Sequence, residues 1–255
     1  VEDGVTTSAT LTANLDWNKD STHLVGVCAP TVIGQRARIK GTATATAFNL
    51  FTLSASNCYI ANINMWGGFN TGSATNVALT ITGDRNALEN VNVQGLADAA
   101  SAGGANARVV KLTGAEENTF VNCTLGTDTV ARTAANSIIE LSAGSARNVF
   151  TNCLFPSYAT GSCANGFAVY GAAAGAVDRF QLFDSCAFIN GVQSSGTAIT
   201  DLVSLPASAG GMVVLKNCVT VGYTGLGSSN AIGQTYIDMP APSNSAGGLA
   251  VNPSA

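Results

Sequence analysis

The 255-residue chain is 46% hydrophobic and only 10% charged, with a formal net charge of −4 at pH 7. Globular proteins carry about a quarter charged residues, so this exterior must be built from Ser, Thr, Asn, Gly and backbone. High apolar content at low net charge excludes disorder, and 11 scattered basic residues exclude the clustered cations that grip nucleic-acid phosphates.

No apolar run reaches the roughly 18–20 residues that span a bilayer, so no membrane partner is expected. The opening "VEDGVTT" has neither an initiator Met nor a signal peptide, and the chain is read as processed or as a fragment. The first segment, residues 1–39, contains strand-like text in "ATLTANLDWNKDSTHLVGV" but follows its own rhythm. It is expected to cap a repeat, with Trp17 and Pro30 suited to that task.

From residue 40 to 224 a phrase recurs: "YIANINMWG", "ALENVNVQG", "TFVNCTLGT", "VFTNCLFPS", "LFDSCAFIN" and "VLKNCVTVG". Aligned on Ile63, Val91, Cys123, Cys153, Cys186 and Cys218, the six copies follow at steps of 28, 32, 30, 33 and 32 residues. Each phrase alternates like a short strand. A second strand rich in Val, Ile, Leu and Thr precedes each: "NLFTLSA", "NVALTITG", "ARVVKLTG", "NSIIELSAG", "GFAVYGA" and "TDLVSLPA". Loops of Gly, Ala, Ser, Asn and Thr separate them, and no long helical period intervenes. Beyond residue 225 the text is rich in Pro, Gly and Ser, and four of the six Pro (Pro206, Pro240, Pro242, Pro253) fall in the last fifty residues. Residues 225–255 are therefore expected to form an irregular arm lying on another surface.

Short strands at a fixed step fit one architecture: an all-β, right-handed parallel β-helix of about six to eight coils. Stacked coils make ladders of equivalent residues, and the Cys then form one interior ladder in which Ile63 and Val91 fill the same place. Seven Cys in a chain this large read mostly as free thiols, with a Cys153–Cys163 bridge as the one alternative. The Asn before each Cys suits a turn or an amide ladder, with carbohydrate contact as the sharper reading. Lys111 falls over Glu140 on the next coil, as an ion pair.

The chain offers little conventional chemistry. His23 is its only histidine and is expected to be partly buried and structural. No Cys-x-x-Cys, calcium loop or phosphate loop occurs. Asp84–Arg85 and Asp178–Arg179 stand near turns, Asp201 opens a strand, and Asp184 shares the parity of Cys186 and so is placed inward or at a bend. None repeats at one coil step from another, so no carboxylate pair for glycoside cleavage emerges. Phe120, Phe150, Phe183 and Phe188 have core parity, which leaves Trp66 as the exposed aromatic. No catalytic, cofactor-binding or metal residue is assigned, and no cofactor is expected.

Together the six coils resemble the pectin-lyase-like parallel β-helix superfamily from about Leu24 to Gly222, although its acidic calcium cluster and catalytic basic residue have no counterpart. The charge-poor composition, unpaired Cys and irregular arm resemble β-helical virion proteins of tailed bacteriophages. That resemblance implies a non-enzymatic head-decoration protein of the virion, packed on capsid proteins and sister subunits as a homotrimer. The alternatives are a carbohydrate-active β-helix enzyme, or a glycan-binding tailspike or adhesin placed outside the cell or at its surface.

Overall fold

The computed structural model describes residues 9–27, 37–41, 48–68, 75–191, 196–228 and 234–238. The chain winds through three strands per coil. The first two coils are β1 (Ala9–Leu11), β2 (Leu15–Trp17) and β3 (His23–Val25), then β4 (Arg38–Gly41), β5 (Phe51–Leu53) and β6 (Tyr59–Ala61). Next come β7 (Asn64–Trp66), β8 (Val77–Ile81), β9 (Ala87–Glu89), β10 (Asn92–Gln94), a short helix α1 (Ala99–Ala102), β11 (Arg108–Thr113) and β12 (Thr119–Val121). The fifth and sixth coils hold β13 (Thr124–Leu125), β14 (Thr127–Arg132), β15 (Ser137–Ser142), β16 (Ser145–Thr151), β17 (Leu154–Ala159), β18 (Phe167–Gly171) and β19 (Val177–Asp184). The last described coils are β20 (Ala187–Asn190), β21 (Ile199–Ser204), β22 (Met212–Lys216), β23 (Val219–Val221), β24 (Tyr223–Gly227) and β25 (Thr235–Asp238).

Equivalent strands stack into three sheets: β1-β4-β7-β10-β13-β17-β20-β23, with β14 beside β17; β2-β5-β8-β11-β15-β18-β21-β24; and β25-β22-β19-β16-β12-β9-β6-β3. Each rung pairs parallel with the next, as in Asn64↔Asn92↔Thr124 and Phe120↔Phe150↔Phe183. The fold is a parallel β-helix, as the repeat predicts. Strands already run through Ala9–Val25, within the segment expected as a cap, and Thr235–Asp238 still pairs with β22. Pro30, Cys28 and residues 239–255 of the expected arm lie outside the described residues.

The structure corrects one reading. Each Asn-Cys phrase is two strands of different sheets meeting at a corner, as β12 meets β13, with the Asn as the hinge. Asn62, Asn90, Asn122, Asn152, Ser185 and Asn217 all have positive φ, between 51° and 57°. Left-handed backbone costs most residues about 1–2 kcal/mol, and Asn tolerates it best after Gly. The neighbouring Cys turns inward: Cys123, Cys153, Cys186 and Cys218 are at most 2% exposed. Cys153 and Cys163 are both free, so the alternative bridge is absent. Burial raises the pKa of both thiols above the ordinary value.

Inside the corner between the second and third sheets runs a column that the sequence reading missed. Asn86, Asn118, Asn148 and Gln181 are at most 1% exposed. Asn118 Oδ1 accepts the Asn86 N–H at 2.9 Å, and Asn148 Oδ1 accepts the Asn118 N–H at 3.0 Å. Their amide NH2 groups donate to the carbonyls of Ala55, Gly83 and Ala115, and that of Asn148 also reaches Gln181 Oε1. Beside the column two ring stacks fill the core: Phe120–Phe150–Phe183 at 4.4 and 4.5 Å between centroids, and Phe155–Phe188 at 4.5 Å.

Asn118→Ala should lower stability by about 2–4 kcal/mol in urea denaturation, because it strands the Asn86 N–H and the Gly83 carbonyl in the core. Cys153→Val should cost less than about 1.5 kcal/mol, since Val91 already fills the equivalent place two coils back. Cys153→Ser should cost more, because it buries a stronger polar group among apolar neighbours.

Candidate functional site

The strands of the second sheet carry two consecutive core residues, Val109–Val110, Ile138–Ile139 and Ala168–Val169. The residues flanking this doublet face outward and make two columns. One is Arg108, Ser137 and Phe167; the other is Thr80, Lys111, Glu140 and Tyr170. Lys111 therefore lies over Glu140, as the repeat predicts, with Nζ 2.8 Å from Oε1. The structure adds Arg108, whose Nε lies 2.8 Å from Glu140 Oε2.

This is not the exposed surface pair expected of a ladder. The side chains of Arg108 and Glu140 are 6% and 9% exposed, whereas Lys111 is 36% exposed. Arg108 Nη1 also donates to the carbonyls of Ala105 and Ala107 at 2.7 and 2.8 Å. Its guanidinium carbon sits 5.3 Å from the Tyr170 ring centroid, within cation–π range. Burial draws the Arg108 pKa down, and the charge and hydrogen bond of Glu140 oppose that pull. The Phe167 and Tyr170 rings lie 5.9 Å apart and parallel within 9°.

These columns floor a depression of about 570 Å³ lined by Thr80, Asn106, Arg108, Lys111, Glu140 and Tyr170. A second of about 210 Å³ adjoins it over Asn136, Ser137, Asn165 and Phe167. The wall comes from loops joining the first sheet to the second. One carries α1, capped by Asp98, whose Oδ1 accepts the Ala100 and Ser101 N–H groups. Another is the single 3-10 turn Gly161–Asn165. Beneath them Arg132 is 1% exposed, its Nε donating to Asn136 Oδ1 at 2.7 Å and its Nη2 to the Asn136 and Phe167 carbonyls. Thr80 Oγ1, in the lining of the larger depression, and Ser137 Oγ, in that of the smaller, are buried and make no hydrogen bond. Buried polar atoms are nearly always paired, so these two offer hydrogen-bonding capacity to a polar ligand.

The other candidates are scattered. Asp84 Oδ1 accepts the Glu116 N–H at 2.9 Å, and Arg85 pairs with Glu117 at 2.9 Å. Asp178 and Arg179 form a loose exposed pair at 3.7 Å. Asp184 sits at the bend before Ser185, the second of its two expected placements, and lies 3.0 Å from Lys216, which lowers its pKa. Counting back from Val169↔Val203 sets Asp201 beside Phe167, and burial raises its pKa. It is two rungs and three residues from Glu140, roughly 14 Å by strand geometry, too far for a carboxylate pair. His23 is exposed, correcting its expected burial, and its Nδ1 accepts the Tyr59 N–H at 3.1 Å. Trp66 is half-buried on the first sheet, away from the groove. Among the described residues no three His, Cys, Asp or Glu side chains converge on a metal position.

No protein-family profile matches the chain, and no curated protein sequence matches it. Two solved structures are similar to it, both crystal structures of pectin methylesterase. One is a mutant in complex with a hexasaccharide, with a TM-score of 0.58, 15% identity, and 86% of this chain and 70% of that chain covered. The other, in complex with a different hexasaccharide, has a TM-score of 0.57 at the same identity and coverage. At that identity the likeness is one of fold, a parallel β-helix.

Glu140→Ala should cost about 3–5 kcal/mol in thermal or urea unfolding, because it leaves the Arg108 guanidinium buried without a counter-charge. Lys111→Met should cost under about 1 kcal/mol, since Glu140 keeps its Arg108 partner and Lys111 is partly solvated.

Proposed function

We propose that this chain is a carbohydrate-recognising β-helix protein that lays a glycan across the rungs of its second sheet. The observation that carries the reading is the groove built around Arg108, Glu140 and Tyr170. It offers two half-exposed aromatic rings, two cations and two unpaired buried hydroxyls across two adjoining depressions. Sugar sites combine such aromatic surface with a few oriented polar groups. The similar structures, solved with hexasaccharides, are pectin-processing enzymes. They favour the carbohydrate alternative over the expected capsid decoration. The virion, capsid-partner and homotrimer expectations rest on composition, unpaired Cys and the irregular arm, and gain nothing from these neighbours.

Within the reading, the glycan is held and not hydrolysed by paired acids. Glu140 is the one carboxylate among the lining residues, and each of its oxygens is engaged by a cation at 2.8 Å. Two-carboxylate hydrolysis needs a second acid within about 5–10 Å.

The test is a polysaccharide binding panel on the intact protein, read by affinity electrophoresis and calorimetry. At least one polysaccharide should be retained, with no new reducing ends on prolonged incubation. Tyr170→Ala should weaken binding about tenfold or more, equivalent to at least about 1.4 kcal/mol. If no polysaccharide is retained, or if Tyr170→Ala leaves retention unchanged, the reading falls.

A further inference from the structure

The glycan reading leaves open what the groove selects, and the two cations on Glu140 are not equivalent. Arg108 has a role set by structure. Its Nε serves Glu140, its Nη1 serves two backbone carbonyls, and its guanidinium carbon lies over the Tyr170 ring, 5.3 Å from the centroid. It is 6% exposed and stays committed to those contacts. Lys111 is 36% exposed and meets Glu140 through a single Nζ contact, so it still has donors facing the depression. One rung back in the same column stands Thr80, paired in register with Lys111. Its Oγ1 is buried in the lining without a hydrogen bond.

Arg108 and Lys111 outnumber Glu140 by one positive charge in the groove, on a chain whose net charge is −4. That local excess is unneeded for folding, since Glu140 is already satisfied by Arg108. Resting on the glycan reading, we propose that Lys111 and Thr80 form a subsite for an anionic substituent, a carboxylate or a sulfate, on the bound sugar. The ammonium supplies charge and up to two further N–H donors, and the Thr80 hydroxyl supplies one O–H. The column Thr80, Lys111, Glu140, Tyr170 takes three rung steps, about 14 Å. The substituent therefore sits at one end and the aromatic rings at the other, with the Glu140–Arg108 clamp between them. Lys111 sets specificity for charge, and Tyr170 serves every glycan alike.

Three polymers sharing one backbone test this: dextran, carboxymethyl-dextran and dextran sulfate of matched length, titrated into the intact protein at fixed ionic strength. The wild type should bind at least one charged form about tenfold or more tighter than dextran. Whichever charged form binds better identifies the substituent. Lys111→Met should reduce that preference, taken as the ratio to dextran binding by the same variant, to about threefold or less. Thr80→Val, a near-isosteric change that removes an unpaired hydroxyl, should weaken the charged polymer without lowering the melting temperature. Lys216→Met, which removes an exposed lysine from the third sheet, should change nothing and so controls for general charge. If Lys111→Met retains the full preference, or if Lys216→Met abolishes it equally, the subsite is wrong while the glycan reading stands. If the wild type binds all three polymers equally, the subsite also falls. If it binds none of them and nothing in the wider panel, both readings fall together.

Discussion

The structure depends on one constraint: each rung must sit in register over the last. A parallel β-helix has no hairpin to set that register, and every pairing joins residues about thirty positions apart. A slip by one residue would turn each strand's core side chains outward. The buried amide column supplies the lock. Asn118 receives a backbone N–H from the coil before it and passes its own N–H to Asn148 on the coil after it. These bonds form in one alignment only, in a core where an unpaired amide is costly. The alternating charges outside the same corner repeat the alignment more weakly, with Glu117 between Arg85 and Arg147 at 2.9 and 3.0 Å.

That lock explains where the molecule has room for a site. The corner between the third and first sheets is tight: the same three-residue step takes Val121 to Thr124, Thr151 to Leu154 and Asp184 to Ala187, each turning on a residue with positive φ such as Asn122. The corner between the second and third sheets also turns on positive φ, at Glu117 beside Asn118, but it loops out extra residues before the amide column, from Ile81–Asn86 to Gly171–Gln181. The corner between the first and second sheets is different. It holds α1, the 3-10 turn and the register shift between β14 and β17, all of which vary from coil to coil. Extra length there leaves the ladder untouched, so a wall can grow over the second sheet. Loops of variable length on a rigid frame are the usual place for a binding surface.

Legibility in the sequence follows the same division. The fold was readable because the tight corners repeat: Asn-Cys recurs, and the strands before it keep their spacing. The Asn of the phrases was read as a turn or a ladder, and it is the turn; the buried ladder lies four residues earlier, at Asn86, Asn118 and Asn148. In "ENTFVN" both amides are visible, but only the burial of the first distinguishes lock from hinge. The site was half legible. Lys111 over Glu140 follows from the coil step alone. Arg108 does not, because three residues separate it from Lys111 and strand alternation puts it on the opposite face. The inward doublet Val109–Val110 brings it back to the same side. Tyr170 occupies the same column in "GFAVYGA", and extending the Lys111–Glu140 register by one more coil would have found it. Trp66 stood out by residue type and proved to lie on another sheet.

The clamp also bears on what kind of site this is. A carboxylate that works on a glycosidic bond needs an oxygen free to give or take a proton at the ligand. Glu140 has neither oxygen free, and releasing one would leave Arg108, at 6% exposure, with less counter-charge in a place that water hardly reaches. The contacts that hold Arg108 over Tyr170 also keep both Glu140 oxygens engaged. Its geometry is one of positioning: a fixed plate, a fixed cation and a carboxylate spent on holding them. Lys111 is the member that can turn toward a ligand without unmaking the rest, because the Glu140–Arg108 contact persists when Lys111 leaves. Recognition in this groove can thus respond to the charge of what enters it while the register beneath stays unchanged.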